Sequence, residues 1–201
     1  MLFRSFYHGK VFHKLIDQNP FTESDTMKYF YQQGLLSSVE IHPENQIVLE
    51  KLKLEYDNLK NVTNIIWLKL IDNVWITNRK MVFTYDQYKN IKTYKNYYYN
   101  GTSISLFDET YYEGYDNKIN PKTNFFIFGL LNDHFVYLPY VKLQINNPIK
   151  ETLLRGTNTF VTNHSYLYSD TLPIQDNKII NIIPNTGVPY NFSGTEFYEY
   201  D

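Results

Sequence analysis

None of the 201 residues is alanine. Alanine is the best helix former and normally among the commonest residues, so its absence tilts a chain toward sheet. What fills the gap points the same way. There are 20 Tyr and 14 Phe, and aromatics reach 18%. Aromatic and β-branched side chains suit a pleated, half-buried surface. Arginine occurs only at Arg4, Arg79 and Arg155, while Asn, Ile, Lys and Tyr abound. Those four are residues of AT-rich codons. The bias points to a phage or large virus of a low-GC host, with a low-GC cell as the alternative source.

The densest apolar stretch is Asn124 to Ile145, NFFIFGLLNDHFVYLPYVKLQI. Two apolar runs, Phe125 to Leu131 and Phe135 to Ile145, flank Asn132-Asp133. Asn and Asp tolerate left-handed angles, so the pair suits a tight turn. A central hairpin over 124–145 is expected, with Phe126 and Tyr137 in its core.

Helices are expected in the N-terminal half. Thr22 or Ser24 can cap one over 23–34, with Gly34 as its stop. Pro43 and Glu44 suit the first turn of another over 44–60, where Leu49, Leu52, Tyr56 and Leu59 take a/d spacing. Tyr85, Tyr88, Ile91, Tyr94 and Tyr98 fit a third stripe over 85–99. Strands are expected over 62–85, with turns at Asp72-Asn73 and Asn78-Arg79-Lys80, and again over 103–107, 160–168 and 178–183. Residues 108–123 read as a polar loop. The fold class is therefore α+β, mainly antiparallel sheet with two or three helices. Residues 1–186 form a single domain, and 187–201 an extended C-terminal arm.

Composition excludes several classes. With no cysteine there is no disulfide framework and no thiolate chemistry. A net charge of −2 and a pI near 6.2 give no reason to expect nucleic acid. No apolar run is long enough for a membrane helix, and the start, MLFRSFYHGKVFHKL, lacks the pattern of a signal peptide. Without that leader the four Asn-x-Ser/Thr sequons carry no information.

Chemistry is thin. Asp108, Glu109, Glu113 and Asp116 cluster among Tyr111, Tyr112 and Tyr115. Paired carboxylates among aromatics are what a glycosidase uses, and oxygen donors on a loop suit calcium. The spacing fits no calcium-loop signature, and a solvated loop is the plain reading. His8 and His13 have no third ligand nearby, so no metal site is expected. His134 and His164 could be named into a Ser–His–Asp triad, but no G-x-S-x-G elbow, P-loop or dinucleotide fingerprint exists. Trp67 and Trp75 read as a core pair. No catalytic residue and no cofactor is expected. Ile65–Ile76 (IIWLKLIDNVWI) resembles the short tryptophan-bearing segment of baseplate wedge proteins in contractile phage tails, over a dozen residues, and no role is carried over from it.

The functional expectation is a non-enzymatic structural subunit of a large assembly. It would be a virion component such as a tail, connector or baseplate protein, with copies of itself and other structural proteins as partners. Its interface would be the arm aromatics Tyr190, Phe192, Phe197, Tyr198 and Tyr200, docked on a neighbouring subunit or on the arm's own domain. The alternative is a β-rich carbohydrate-binding or glycan-hydrolysing protein that uses Trp67, Trp75 and the acidic cluster.

Overall fold

Alternation by two, and not by 3.6, governs the backbone. The structure, a computed structural model, describes residues 12–14, 26–42, 50–120, 125–127 and 135–198. Among them every regular element is a strand. In chain order these are β1 (Phe12–Lys14), β2 (Thr26–Gln32), β3 (Leu35–His42), β4 (Glu50–Tyr56), β5 (Val62–Ile71), β6 (Val74–Tyr85) and β7 (Ile91–Tyr99). There follow β8 (Ile104–Ile119), β9 (Phe125–Ile127), β10 (Phe135–Tyr137), β11 (Asn146–Arg155), β12 (Asn158–Ser169), β13 (Leu172–Ile183) and β14 (Tyr190–Phe197). Strands β1 to β8 and β11 to β14 form, in that order, one 12-stranded sheet, and β9 with β10 forms a separate pair. The pairings with described registers are antiparallel.

The α+β expectation is thus corrected to all-β for the described residues, and each expected helix has a physical reason for being a strand. Over 23–34, Met27 and Tyr29 are buried while Lys28 and Phe30 point the other way, as a strand requires. Of 44–60, residues 44–49 lie outside the described part, and the rest contains β4. There Leu52 and Leu54 are buried between Lys51, Lys53 and Glu55. Charges placed between leucines satisfy a period of two as well as a helical far face. In 85–99 the carboxylate of Asp86 accepts hydrogen bonds from Tyr88 N (2.8 Å) and Asn90 N (2.9 Å), which makes a turn before β7 begins. The polar loop expected over 108–123 is corrected too, since β8 runs on to Ile119.

The expected central hairpin is present only as a short pair, Phe125–Ile127 against Phe135–Tyr137. Its turn and the side chains of Phe126 and Tyr137 lie outside the described residues. Its second arm does not reach Ile145. After Tyr137 the chain is irregular, and buries Leu138, Val141 and Leu143.

The chain divides into two compact units, Met1–Met81 with Tyr98–Ile104, and Val82–Tyr97 with Ser105–Asp201. In the first, the register puts Met27 opposite Ile41, Tyr29 opposite Val39, Val39 opposite Leu52, Leu52 opposite Trp67 and Leu54 opposite Ile65. All of these are buried, so one sheet face is a continuous apolar layer. The other face carries ion pairs, Lys51–Glu40 at 3.4 Å and Lys53–Glu55 at 3.0 Å. One packed and one wet face is the usual state of an antiparallel sheet. The expected Trp pair is not made as foreseen. Trp67 is in the core, whereas Trp75 is 38% exposed with the Lys51 ammonium 5.8 Å from its ring.

The second unit has a more polar interior. Asn90 is buried, donates to Asn146 Oδ1 (3.1 Å) and accepts from Ile145 N (3.2 Å) and Asn146 N (2.9 Å). Asn147 N donates to Asp116 Oδ1 (3.1 Å), and its side-chain amide to Asp116 Oδ2 (3.1 Å). Tyr168 donates its hydroxyl to the same carboxylate. These bonds hold the irregular segment that leads into β11.

The core assignment predicts that Leu52→Ala costs about 2–5 kcal/mol of stability, while Lys53→Ala, one residue on and facing water, stays within about 0.5 kcal/mol. Urea unfolding of both variants tests it; equal losses would show that the two faces are not distinct.

Candidate functional site

The second unit gathers a cluster of charges on one face of β11 to β14. His164 on β12 stands directly opposite Lys178 on β13, and Tyr166 opposite Asp176. Glu196 on β14 stands opposite Asp176, and Glu151 on β11 opposite Thr162, next along the same face to His164. Antiparallel partners lie close enough to interact directly, and here they do. His164 Nδ1 is 2.9 Å from Asp176 Oδ2. Its Nε2 is 3.4 Å from Glu151 Oε1, in ion-pair range without hydrogen-bond geometry. Lys178 Nζ lies 2.8 Å from Glu196 Oε2 and 3.5 Å from Asp176 Oδ2.

This cluster borders a cavity of about 280 Å³. Its wall also takes Tyr94, Tyr112, Tyr166 and Tyr198, the amides Asn120, Gln144 and Asn147, and Phe83. The His164 and Tyr166 rings stack at 5.8 Å, and Tyr166 donates to Pro148 O at 3.0 Å. Burial holds the hydroxyls of Tyr112 and Tyr166 well above the usual phenol range, so both are neutral. Burial opposes charging of His164, but the Asp176 hydrogen bond and then Glu151 outweigh it, and its pKa rises to about 9. For Lys178 burial is likewise outweighed by the Glu196 hydrogen bond, and its pKa is raised. The imidazole is therefore a fixed cation at neutral pH and a poor general base. The lining includes no Ser, Thr or Cys that could act as nucleophile.

The carboxylates singled out in the sequence do not converge. Asp108 is buried against Arg155 (3.1 Å), Glu109 meets Lys95 (2.9 Å), Glu113 meets Lys150 (2.8 Å), and Asp116 serves Asn147 and Tyr168. Each has its own partner along β8, so neither a paired glycosidase site nor a calcium loop forms there. Among the described residues no group of His, Asp and Glu is arranged to hold a metal. Ser165 follows His164 in β12 and so lies on the other face of the sheet, and His134 lies outside the described residues. Of the arm aromatics, Tyr190, Phe192 and Phe197 lie in or at the ends of β14 and are 59%, 49% and 71% exposed. Tyr198 lines the cavity, and Tyr200 lies outside the described residues. β14 itself pairs with β13 of the same chain.

Asp176, Lys178 and Glu151 were missed in the sequence. The available signal was period-two spacing on both sides of the Asp170-Thr171 turn: His164 and Tyr166 before it, Asp176 and Lys178 after it.

Because the folded pKa of His164 exceeds its unfolded value near 6.5, the cluster stabilises fully below pH 6.5, and that contribution is lost as pH rises through about 9. His164→Gln should therefore cost on the order of 3 kcal/mol at pH 6 and much less at pH 10. Chemical unfolding at both pH values measures it; a penalty that does not change with pH would show that the imidazolium is not what stabilises the cluster.

No protein-family model matches this chain, and no curated protein matches it. Similar solved structures exist. A porin-like protein from Bacteroides uniformis ATCC 8492 is 10% identical, with a TM-score of 0.54, over 92% of this chain and 75% of that one. A porin-like protein from Bacteroides vulgatus ATCC 8482 is 11% identical, with a TM-score of 0.55, over 97% of this chain and 84% of that one. At such identities the likeness is one of fold. It corrects the labels virion, phage tail, connector and baseplate, because these similar structures are porin-like proteins and not phage components, while the β-rich character stands.

Proposed function

We propose that this chain is a non-catalytic β-sheet binding protein whose ligand site is the cavity of the second unit. One observation carries the reading: a cavity of about 280 Å³ lined by tyrosines, amides and charged groups, with its only imidazole clamped between two carboxylates. Small-ligand sites combine an aromatic wall with a few convergent polar groups. An imidazolium held in this way orients and neutralises; it does not relay protons.

The likeness to porin-like proteins supports a second reading, a β-barrel within a membrane. No helix among the described residues is long and apolar enough to cross one, which says nothing about strands. A lipid-facing strand needs an unbroken row of apolar positions on its outer face. On the face opposite the site, exposed Leu167, Ile179, Ile183 and Phe197 share the strands with polar residues: Asn163 and Ser165 on β12, Gln175, Asn177 and Asn181 on β13, and Asn191, Ser193 and Thr195 on β14. Lys150 and Glu113 pair across that face as well. Polar groups thus interrupt the apolar row on that face, and we rank this reading second.

Self-association, expected from the sequence, keeps one support in the exposed aromatics of β14. Light scattering after size exclusion should give a larger particle for the intact chain than for a Tyr190→Ser, Phe192→Ser, Phe197→Ser variant. Equal masses would remove these side chains as an interface.

The binding reading is tested by thermal shift against glucose, N-acetylglucosamine, spermidine, lysine, phosphate and citrate. At least one class should raise the melting temperature, and Gln144→Trp, which fills the cavity, should abolish the shift. No shift with any class would overturn the reading. Flotation with phospholipid vesicles should leave the chain at the bottom of the gradient; co-flotation would move the membrane reading to first place.

A further inference from the structure

The turn between β7 and β8 carries a chemistry of its own. Asn100-Gly101 is the single Asn-Gly pair in the chain, and residues 100–103 are exposed. Asn100 Oδ1 accepts hydrogen bonds from Thr102 N (3.1 Å), Thr102 Oγ1 (3.1 Å), Ser103 N (2.9 Å) and Ser103 Oγ (3.3 Å). Bonds to amides further along the chain fold the side chain forward, which brings its Cγ alongside the Gly101 nitrogen. Gly101 has a φ of 92°, and no described residue accepts a hydrogen bond from its amide. It also has no Cβ to obstruct an approach to Cγ. The donors on Oδ1 outnumber the two lone pairs of a neutral amide oxygen. They suit an oxygen that carries more negative charge. In the β4–β5 and β6–β7 turns the same part is played by carboxylates: Asp57 accepts from Leu59 N and Asn61 N, and Asp86 from Tyr88 N and Asn90 N.

We propose that Asn100 is a self-modification site, which its own turn converts to aspartate. The Gly101 amide gives its proton to hydroxide, and its nitrogen bonds to Cγ. Negative charge gathers on Oδ1, where the donors from Thr102 and Ser103 stabilise it as an oxyanion hole does. Nδ2 leaves as ammonia, and a five-membered succinimide closes. Water can then add to either ring carbonyl, at Cγ or at the main-chain carbon of Asn100. The donors still hold the oxygen on Cγ and polarise that carbon, so water adds there. The Cγ–N bond breaks, and the Gly101 nitrogen regains its proton. One water is consumed, one ammonia is released, and nothing is oxidised or reduced. The product is ordinary aspartate, not the isomer whose main chain runs through the side-chain carbon. Its carboxylate meets the same donors in charge-assisted bonds, which are stronger than those to an amide. The β7–β8 turn then has an acidic cap, as the turns at Asp57 and Asp86 already do.

Peptide mass mapping of the intact chain, incubated for several weeks in mildly alkaline heavy-oxygen water at body temperature, tests the proposal. A free peptide of residues 96–106 is incubated beside it. Residue 100 should exchange its amide nitrogen for one labelled oxygen before any other asparagine does. Electron-transfer fragmentation should show mostly ordinary aspartate in the protein, where the free peptide gives mostly the isomer. Thr102→Val with Ser103→Ala removes the two hydroxyl donors from an exposed turn. That variant should convert about tenfold more slowly, a small effect beside that of a buried oxyanion hole, and should yield more of the isomer. Asn100 that stays intact in the wild type would overturn the proposal. Conversion with the free peptide's product ratio, which is read on the unaltered protein, would show that the turn does not direct the reaction. An unchanged rate in the folded double variant would remove the hydroxyls from it.

Discussion

Register is the constraint on which the whole sheet depends. A slip of one residue in any ladder would turn its buried side chains to water and its lysines inward. Register is held at the hairpin turns, where the chain must adopt left-handed angles. Gln33 and Gly34 join β2 to β3 with φ of 50° and 77°, and Asp72 and Asn73 join β5 to β6 with 50° and 61°. Two successive positive φ values match the twist of the strands they connect. A second device appears twice, in Asp57-Asn-Leu-Lys-Asn61 and Asp86-Gln-Tyr-Lys-Asn90. In each, the Asp carboxylate accepts the amides two and four residues on, and the Lys takes a φ near 65°. The repeated pentapeptide is a repeated turn.

The two units use the alternation differently. In the first, alternation separates apolar from charged residues, and the buried layer from Met27 to Trp67 follows from that alone. In the second it separates an exposed mixed face, where Asn, Ser and Thr share the strands with Leu167, Ile179, Ile183 and Phe197, from the charged row of Glu151, His164, Asp176 and Lys178. Buried charge persists only where it is paired, which explains why the histidine needs two carboxylates. Three asparagines serve the same interior. Asn90, Asn120 and Asn147 hold irregular backbone that no strand partner could satisfy.

Much of the sheet was legible in the sequence. The strands over 62–71, 160–168 and 178–183 and the turn at Asp72-Asn73 lie where alternation and turn chemistry put them. The missing alanine already argued against helices. The three expected helices came from reading Leu52 with Tyr56 and Leu59, or Tyr85 with Tyr88 and Ile91, as stripes. In so short a window a few apolar residues fit both periods, and propensity should have decided. Asn78-Arg79-Lys80 looked like a turn yet lies inside β6, where Arg79 is buried with its guanidinium 4.9 Å from the Tyr98 ring. A local signal could not anticipate that contact.

The site was illegible for a related reason. Its charged members come from β11, β12, β13 and β14, and only Asp176 and Lys178 lie close in the sequence. Only the register joins them, and register follows from turns that must first be recognised. The same dependence shapes what the site can do. His164, Lys178 and Asp176 are held on adjacent ladder rungs by main-chain bonds, so their relative positions are set before any ligand arrives. A wall fixed in this way suits the binding reading, because His164 is held as a cation near neutral pH and is a poor base.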